Sequence, residues 1–189
     1  MKWIRPIGMA LAMSGAIGSV SAQGDKGNTV MVGGEAMYPM KDIVTNAVNS
    51  KEHTTLVAAV KAAGLVATLQ GDGPFTVLAP TNAAFAKLPN GVVDDLLKPE
   101  NKVALTTVLT YHVLAGKYDS AAIKAAIKKG GGKAAMKTVA GQEITFSLNG
   151  PNNITVWDKS GGYANISTYD VYQSNGVIHV LDAVLLPKN

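Results

Sequence analysis

The chain has 189 residues, no cysteine, 17 basic against 13 acidic side chains, and a formal net charge of +4 at pH 7. The absence of cysteine excludes disulfides, a thiol nucleophile, a cysteine-based zinc cluster and the lipidated N-terminal cysteine of many exported bacterial proteins. A net charge this small indicates no particular polyanionic partner and does not point to nucleic acid.

The first 22 residues are predicted to be a bacterial-type secretory signal peptide. Lys2 and Arg5 give a positive start, residues 7–20 are almost all apolar or small, and Val20-Ser21-Ala22 is a small-x-small cleavage signal. Cleavage near Ala22 would deliver the mature chain to the periplasm or the extracellular space. No later stretch approaches the roughly 20 apolar residues of a transmembrane helix, so we expect a soluble mature chain.

The 167 residues after the signal peptide are predicted to form one domain. A chain of this length buries about 70% of its unfolded surface without needing a disulfide or metal. Residues 23–36 are polar and glycine-rich without periodicity, which predicts a flexible leader. The domain itself is expected to cover residues 37–189.

Helical patterns dominate the first part of this domain. A short β-favouring run, Phe75–Pro80, interrupts them, and Thr81 or Asn82 is placed to cap the helix that follows. Apolar residues at helical spacing predict helices at 41–48, 56–63, 81–88, 92–97 and 101–114.

The pattern changes after residue 130. An amphipathic helix is predicted over Asp119–Lys129 and ends at three consecutive glycines, 130–132. Beyond residue 133 polar and apolar residues alternate, which predicts antiparallel strands at 136–139, 143–148, 154–158 and 166–172. Helices first and strands afterwards, with one early strand, predict an α+β fold.

The last strands are predicted to be the most buried part of the chain. Asn175-Gly176 favours a tight hairpin turn between residues 163–173 and 177–181. The residues after it are apolar at nearly every position, as in strands covered on both faces. The domain is therefore expected to fold around its own C-terminal segment.

Three segments together resemble the fasciclin-like domain family. Residues 73–85 (GPFTVLAPTNAAF) look like its first signature, 111–114 (YHVL) like its central Tyr-His element, and 175–187 (NGVIHVLDAVLLP) like its second signature. The resemblance covers about residues 37–187. It implies an α+β fold in which an antiparallel β wedge or sandwich packs against several short helices, as a single-domain secreted bacterial member.

The resemblance also implies adhesion or matrix contact rather than catalysis. The adhesive determinants of the family fall here on Tyr111 and His112 and, for its Asp-Ile pair, on Asp170 and Val171. These four residues are the candidate partner-binding residues. A single domain that bridges two surfaces would need weak self-association or a further partner for its second contact.

Each candidate residue also has a structural interpretation. His112 lies in an apolar run, where buried polar groups are normally hydrogen-bonded, so a core histidine bonded to backbone is the favoured interpretation. His179 shares a strand face with Val177 and Leu181, so packing or sheet hydrogen bonding is favoured over chemistry. Asp170 is either an exposed recognition point or a carboxylate that accepts hydrogen bonds from turn amides. A lysine concentration either attracts anionic polysaccharide or membrane or only complements a helix dipole; its members are Lys124, Lys128, Lys129, Lys133 and Lys137.

No enzyme motif is found, and no cofactor or metal is predicted. Residues 127–134 resemble a phosphate loop only superficially, because Ile127 and Ala134 replace its first glycine and its hydroxyl residue. The sequence therefore predicts a secreted, non-catalytic surface-interaction module that binds a protein or polysaccharide partner and no nucleic acid. The alternative is a carrier with a small apolar or carbohydrate ligand between helices and sheet, and a hydrolase with a triad of distant residues ranks third.

Overall fold

A computed structural model describes residues 29–188 of the chain. The predicted signal peptide and residues 23–28 of the predicted leader lie outside the described residues. Nine strands are formed: β1 Val30–Val32, β2 Glu35–Met37, β3 Phe75–Pro80, β4 Val113–Ala115, β5 Lys133–Lys137, β6 Glu143–Asn149, β7 Asn153–Trp157, β8 Tyr163–Gln173 and β9 Gly176–Leu181. The helices are α1 Ile43–Ala47, α2 Thr54–Ala63, α3 Val66–Leu69, α4 Asn82–Ala86, α5 Val92–Leu96, α6 Lys102–Tyr111 and α7 Ser120–Lys129, with a 3-10 turn at Pro99–Asn101.

Seven strands form one sheet in the order β4-β3-β9-β8-β7-β6-β5. Strand β9 pairs in parallel with β3 and antiparallel with β8, and the remaining pairs are antiparallel. All six residues of β9 are buried. This confirms the prediction that the C-terminal strand is covered on both faces.

Two apolar cores lie on opposite sides of the central strands. Helices α1, α2 and α6 pack on one side, where Ile178 and Val180 of β9 join the core. On the other side α7 packs against the curved β5–β8 region, and Leu181 of β9 belongs to that core. Helix α7 has its predicted bounds, since Asp119 caps it and Ile123 and Ile127 are buried. The architecture is α+β, as predicted.

The hairpin between β8 and β9 forms as predicted, but its turn is different. Ser174 and Asn175 are the turn residues, and Gly176 already belongs to β9, opposite Gln173. Neither Asn175 nor Gly176 has a positive φ. Glycine is needed at 176 for another reason: a Cβ there would lie 2.1 Å from the carbonyl oxygen of Phe75 in β3.

Two further expectations for the first half of the chain are wrong. The helix predicted over residues 101–114 ends at Tyr111, and Val113–Ala115 forms strand β4 on the outer side of β3.

A second difference lies in the predicted leader, where β1 and β2 form a hairpin from Val30 onwards. Gly33 and Gly34 both have positive φ, which is the geometry of a two-residue hairpin turn. Regular structure therefore begins before the predicted domain start at residue 37.

Within residues 29–188, no helix combines the length and the apolar character needed to cross a bilayer.

Candidate functional site

Tyr111 and His112 lie where helix α6 ends and strand β4 begins. The Tyr111 side chain has no exposed surface, and its hydroxyl donates to the carbonyl of Glu143 at 3.2 Å. The same oxygen accepts a hydrogen bond from the Lys159 amide at 3.1 Å. Burial raises the pKa of Tyr111, so the phenol stays neutral. Tyr111 thus fastens the end of α6 to β6 and to the loop after β7.

His112 is a core histidine bonded to backbone on both sides of its ring. Nδ1–H donates to the Val108 carbonyl at 2.7 Å, and Nε2 accepts from the Leu185 amide at 3.0 Å. These two bonds define the neutral tautomer. Burial lowers the pKa of His112 to about 4. The structural interpretation of His112 is confirmed.

Replacing His112 by alanine is expected to destabilise the domain by about 1–3 kcal/mol, because the Leu185 amide and the Val108 carbonyl lose a buried partner. The measurement is the free energy of unfolding from urea titration followed by circular dichroism. Val103→Ala on the same helix is the control, since Val103 is 80% exposed. Equal stability of the two variants would show that the imidazole bonds contribute nothing.

The depressed pKa of His112 predicts a pH dependence of stability. The unfolded state binds a proton below pH 6.5, whereas the folded state binds it only near pH 4. The contribution of His112 to the free energy of unfolding is therefore complete above pH 6.5. It decreases as the pH falls toward 4, by about 3 kcal/mol in total. We expect the stability difference between wild type and His112→Gln to shrink over this window. A difference that is constant from pH 7 to pH 4 would contradict the assignment.

Asp170 lies at an irregularity of strand β8, where the pairing with β9 shifts register. Its φ of 56° makes it the one non-glycine residue with positive φ among residues 29–188. Its carboxylate accepts a hydrogen bond from the Ser120 amide at 2.6 Å and another from the Ser120 hydroxyl. Asp170 is half-buried and accepts from the first amide of helix α7, so the structural alternative is closer to the observed contact, although the amide belongs to α7 and not to the hairpin turn.

His179 lies next to Asp170 and is also satisfied internally. Its Nε2–H donates to the Tyr118 carbonyl at 2.8 Å, while Nδ1 accepts from the Asp170 amide at 3.3 Å. Burial lowers the pKa of His179 and keeps the ring neutral. The sheet-bonding role predicted for His179 is confirmed.

The four candidate residues do not form one exposed patch. Val171 is 1% exposed and His112 is 3% exposed, and both line an apolar cavity between the helices and the sheet. The Tyr111 and His112 rings meet edge to face at 6.5 Å. The partner-binding role of the four residues stays a prediction. In this conformation Tyr111, His112 and Val171 present no surface to a partner.

The apolar cavity is enclosed by α1, α2, α3 and α6 on one side and by strands of the sheet on the other. The cavity has a volume of about 80 Å³, more than the roughly 15 Å³ that one water requires. Its walls include Met37, Leu56, Val60, Phe75, Leu109 and Ile178. A cavity lined in this way favours an apolar occupant over water.

His53 contributes the unusual polar group of this cavity. Its ring is 3% exposed, and Nδ1 is 2.8 Å from the Ser50 hydroxyl. Burial lowers its pKa, and the nearby Ala79 carbonyl partly offsets this. Nε2 is buried and makes no hydrogen bond of normal geometry to any residue of 29–188. Sequence reasoning missed His53, because a lone histidine before a helix carries no signal of the cavity.

The described part of the chain, residues 29–188, brings no three histidine or carboxylate side chains together in a way that would hold a metal ion.

The fold of residues 29–188 is a β wedge with helices α1, α2 and α6 on one side and α7 on the other. The buried Tyr-His pair lies at the junction of helix and sheet. These features define the class of fasciclin-type domains.

Comparison with known proteins leads to the same class. The family model described as Fasciclin domain matches residues 51–187. Protein sll1483 of Synechocystis sp. is 46% identical over 145 residues, which span 77% of this chain and 73% of that protein. Immunogenic protein MPB70 of Mycobacterium bovis is 35% identical over 150 residues, 77% of this chain and 68% of its own length. The chain therefore belongs to the fasciclin domain family.

Two more distant similarities involve longer proteins. Human periostin is 35% identical over 132 residues, which cover 70% of this chain but 14% of periostin. The solved structure of a FAS1 domain pair from the insect cell adhesion molecule fasciclin I matches with a TM-score of 0.70 and 16% identity. That match covers 78% of this chain and 51% of the solved one, and at this identity it shows the fold alone.

Proposed function

We propose that this chain is a secreted, non-catalytic module that binds a protein or polysaccharide on a cell surface or in a matrix. Family membership supports the proposal. The observation that carries it concerns His112, His179 and Asp170, whose polar side-chain atoms are bonded inside the domain. General acid–base catalysis needs such groups within reach of a substrate, whereas surface recognition does not.

A binding role of Tyr111, His112, Asp170 and Val171 is proposed to be indirect. Tyr111 holds the segments around Glu143 and Lys159, and Asp170 holds the start of α7. These hydrogen bonds hold neighbouring exposed segments in position, while Tyr111 and Asp170 themselves do not contact the partner. The predicted signal peptide supports action in the periplasm or outside the cell.

The test uses beads coated with the mature chain and exposed to cells and to matrix components. Wild type should adhere at high coating density. Tyr111→Phe removes only the hydroxyl with its two hydrogen bonds, so adhesion should fall while the domain stays folded by circular dichroism. Tyr38→Phe is the matched control, because this half-exposed tyrosine lies outside those contacts. Beads that stay inert at every density would contradict the proposal.

The cavity favours a second candidate function, a carrier of a small apolar ligand. Among the described residues that line it, Lys61 is the one with a formal charge, and Lys61 is exposed at the cavity edge. His53 Nε2 offers one hydrogen-bonding atom in the interior. Together they fit an apolar acid better than a carbohydrate, which would need many polar partners.

This second candidate is tested by thermal unfolding with straight-chain and aromatic carboxylic acids. A bound acid should raise the melting temperature by mass action. Ala47→Phe, which adds a ring to a half-buried lining residue, should abolish the shift. Ala121→Phe makes the same change at an exposed position of α7 and should leave the shift intact. No shift with any acid would exclude the carrier function for this class.

A further inference from the structure

One face of the β5–β8 region is largely uncovered in the described part of the chain. Strand register places Trp157 opposite Thr145 on β6 and opposite Tyr163 on β8, so these side chains point to the same side. Most of the other side of these strands is buried in the α7 core, with Leu148 near the end of β6 42% exposed. We call this side the outer face; its exposed or half-exposed residues include Trp157, Tyr163, Thr145, Ser147, Asn149 and Asn153. Thr155 on the same side is 3% exposed and donates to Asn165 Oδ1 at 2.8 Å.

An exposed aromatic pair occupies this outer face. Trp157 is 40% exposed and Tyr163 is 56% exposed, and their ring centroids are 5.1 Å apart with a tilt of 43°. The indole Nε1–H donates to the Ser147 hydroxyl at 2.8 Å, which orients the ring across β6. Two aromatic rings held by adjacent strands give a contact surface that loses little conformational entropy on binding.

The side chains around the pair are suited to sugars. Ser147 and Thr145 carry hydroxyls, and Asn149 and Asn153 carry amides and are exposed at the strand ends. Hydroxyls and amides donate and accept hydrogen bonds without charge, as a ring of sugar hydroxyls requires. Aromatic rings in turn contact the apolar C–H faces of pyranose rings.

Positive charge lies along one edge of the outer face. Lys133 and Lys137 of the edge strand β5 pair with Ser147 and Glu143, so they point to the same side. The carboxylate of Glu143 is ion-paired with Lys159 at 3.3 Å. A second carboxylate, Asp182, accepts hydrogen bonds from Asn165 of the same face at 2.7 and 3.1 Å. The complementarity to an anionic ligand therefore lies at the Lys133–Lys137 edge.

We propose that the outer face binds an acidic polysaccharide, a chain of uronate-type sugars whose rings stack on Trp157 and Tyr163 and whose carboxylates meet Lys133 and Lys137. The proposal rests on the proposed surface-interaction function and names its partner class. The aromatic pair lies on β7 and β8, the hydroxyls on β6 and the lysines on β5, so a sugar chain that crosses the strands would meet them in turn.

Trp157 makes the proposal directly measurable. It is the only tryptophan after residue 22, so the intrinsic fluorescence of the mature chain reports on this face. Titration with oligogalacturonate should change the emission in a saturable way, and added salt should weaken the binding. Neutral malto-oligosaccharide of equal length should bind at least about tenfold more weakly.

Variants of the outer face separate the contributions of the aromatic rings and of the lysines to oligogalacturonate binding. The affinity of each variant is measured by calorimetry. Trp157→Ala and Tyr163→Thr should each weaken oligogalacturonate binding about tenfold or more, as expected for exposed aromatic anchors. Tyr163→Thr keeps a β-favouring residue at the more exposed position, so it stays informative if Trp157→Ala unfolds. Lys133→Gln with Lys137→Gln should weaken binding and reduce its salt dependence. Tyr38→Ala, an exposed aromatic elsewhere, should bind like wild type.

The outcomes distinguish this proposal from the broader function. Unchanged affinity in Tyr163→Thr, or equal binding of the neutral and the acidic sugar, would overturn it. If the beads adhere to a protein matrix while oligogalacturonate does not bind, the surface-interaction function stands and the partner class is wrong. If oligogalacturonate binds through the outer face while the beads stay inert, the glycan site stands without adhesion.

Discussion

Deleting residues 176–189 is expected to abolish cooperative folding. This deletion removes β9, which is hydrogen-bonded to β3 on one side and to β8 on the other. The seven-stranded sheet would then split into a β4–β3 pair and a β5–β8 unit. Both apolar cores would also lose wall residues, among them Ile178 and Leu181, which are 6% and 0% exposed. Because native stability is only about 5–15 kcal/mol, such a loss exceeds the whole margin.

The measurement is urea unfolding followed by circular dichroism, together with the soluble yield. The truncated chain should show no sigmoidal transition. A chain shortened by residues 188–189 is the control and should unfold cooperatively, since Lys188 contributes only exposed backbone bonds to Gln142. A cooperative transition in the longer truncation would show that β9 is an appendage to a domain complete without it.

Gly176→Ala is expected to destabilise the domain by about 4 kcal/mol or more, an exceptionally large effect for the addition of one methyl group. The new Cβ would lie 2.1 Å from the Phe75 carbonyl oxygen, and backbone cannot move aside as a flexible side chain can. The steric clash can be removed only if β3 and β9 move apart at the start of their parallel pairing. The bond from the Phe75 amide to the Asn175 carbonyl, 3.0 Å long, would weaken with it.

Gly161→Ala is the matched control for this substitution. Gly161 has a φ of +91°, but a Cβ there meets nothing within 4 Å. The Gly161→Ala substitution should destabilise the domain only through backbone strain, by about 1–2 kcal/mol. The two free energies of unfolding are compared under identical conditions. A Gly176→Ala variant as stable as Gly161→Ala would show that the β3–β9 contact is loose.

Elements with a long, regular pattern were predictable from sequence. Helix α7 repeats apolar residues over three turns between an Asp cap and glycines. Strand β8 alternates over 163–167 and again over 170–173, on either side of its register shift. Strands β1, β2 and β4 have three residues each, too few for a period to show. Strand β4 in particular is apolar like the helix before it, and only its pairing with β3 makes it a strand.

The candidate site was predictable only in part. The apolar neighbours of His112 indicated a core histidine, and both of its ring nitrogens are indeed bonded to backbone. The partner of the Asp170 carboxylate lies 50 residues away on α7, a contact that no local pattern encodes. The exposure of Trp157 and Tyr163 depends on strand register, because one residue of slip would turn both rings into the core.

The parallel pairing of β3 with β9 sets the order of events during biosynthesis. The partner of Phe75 is Gly176, so β3 leaves the ribosome about a hundred residues before the strand it needs. Until β9 has been synthesised, the nascent chain lacks the strand that joins the two parts of its sheet. The two apolar cores therefore cannot close until the C-terminal strand has been made, however early the helices form.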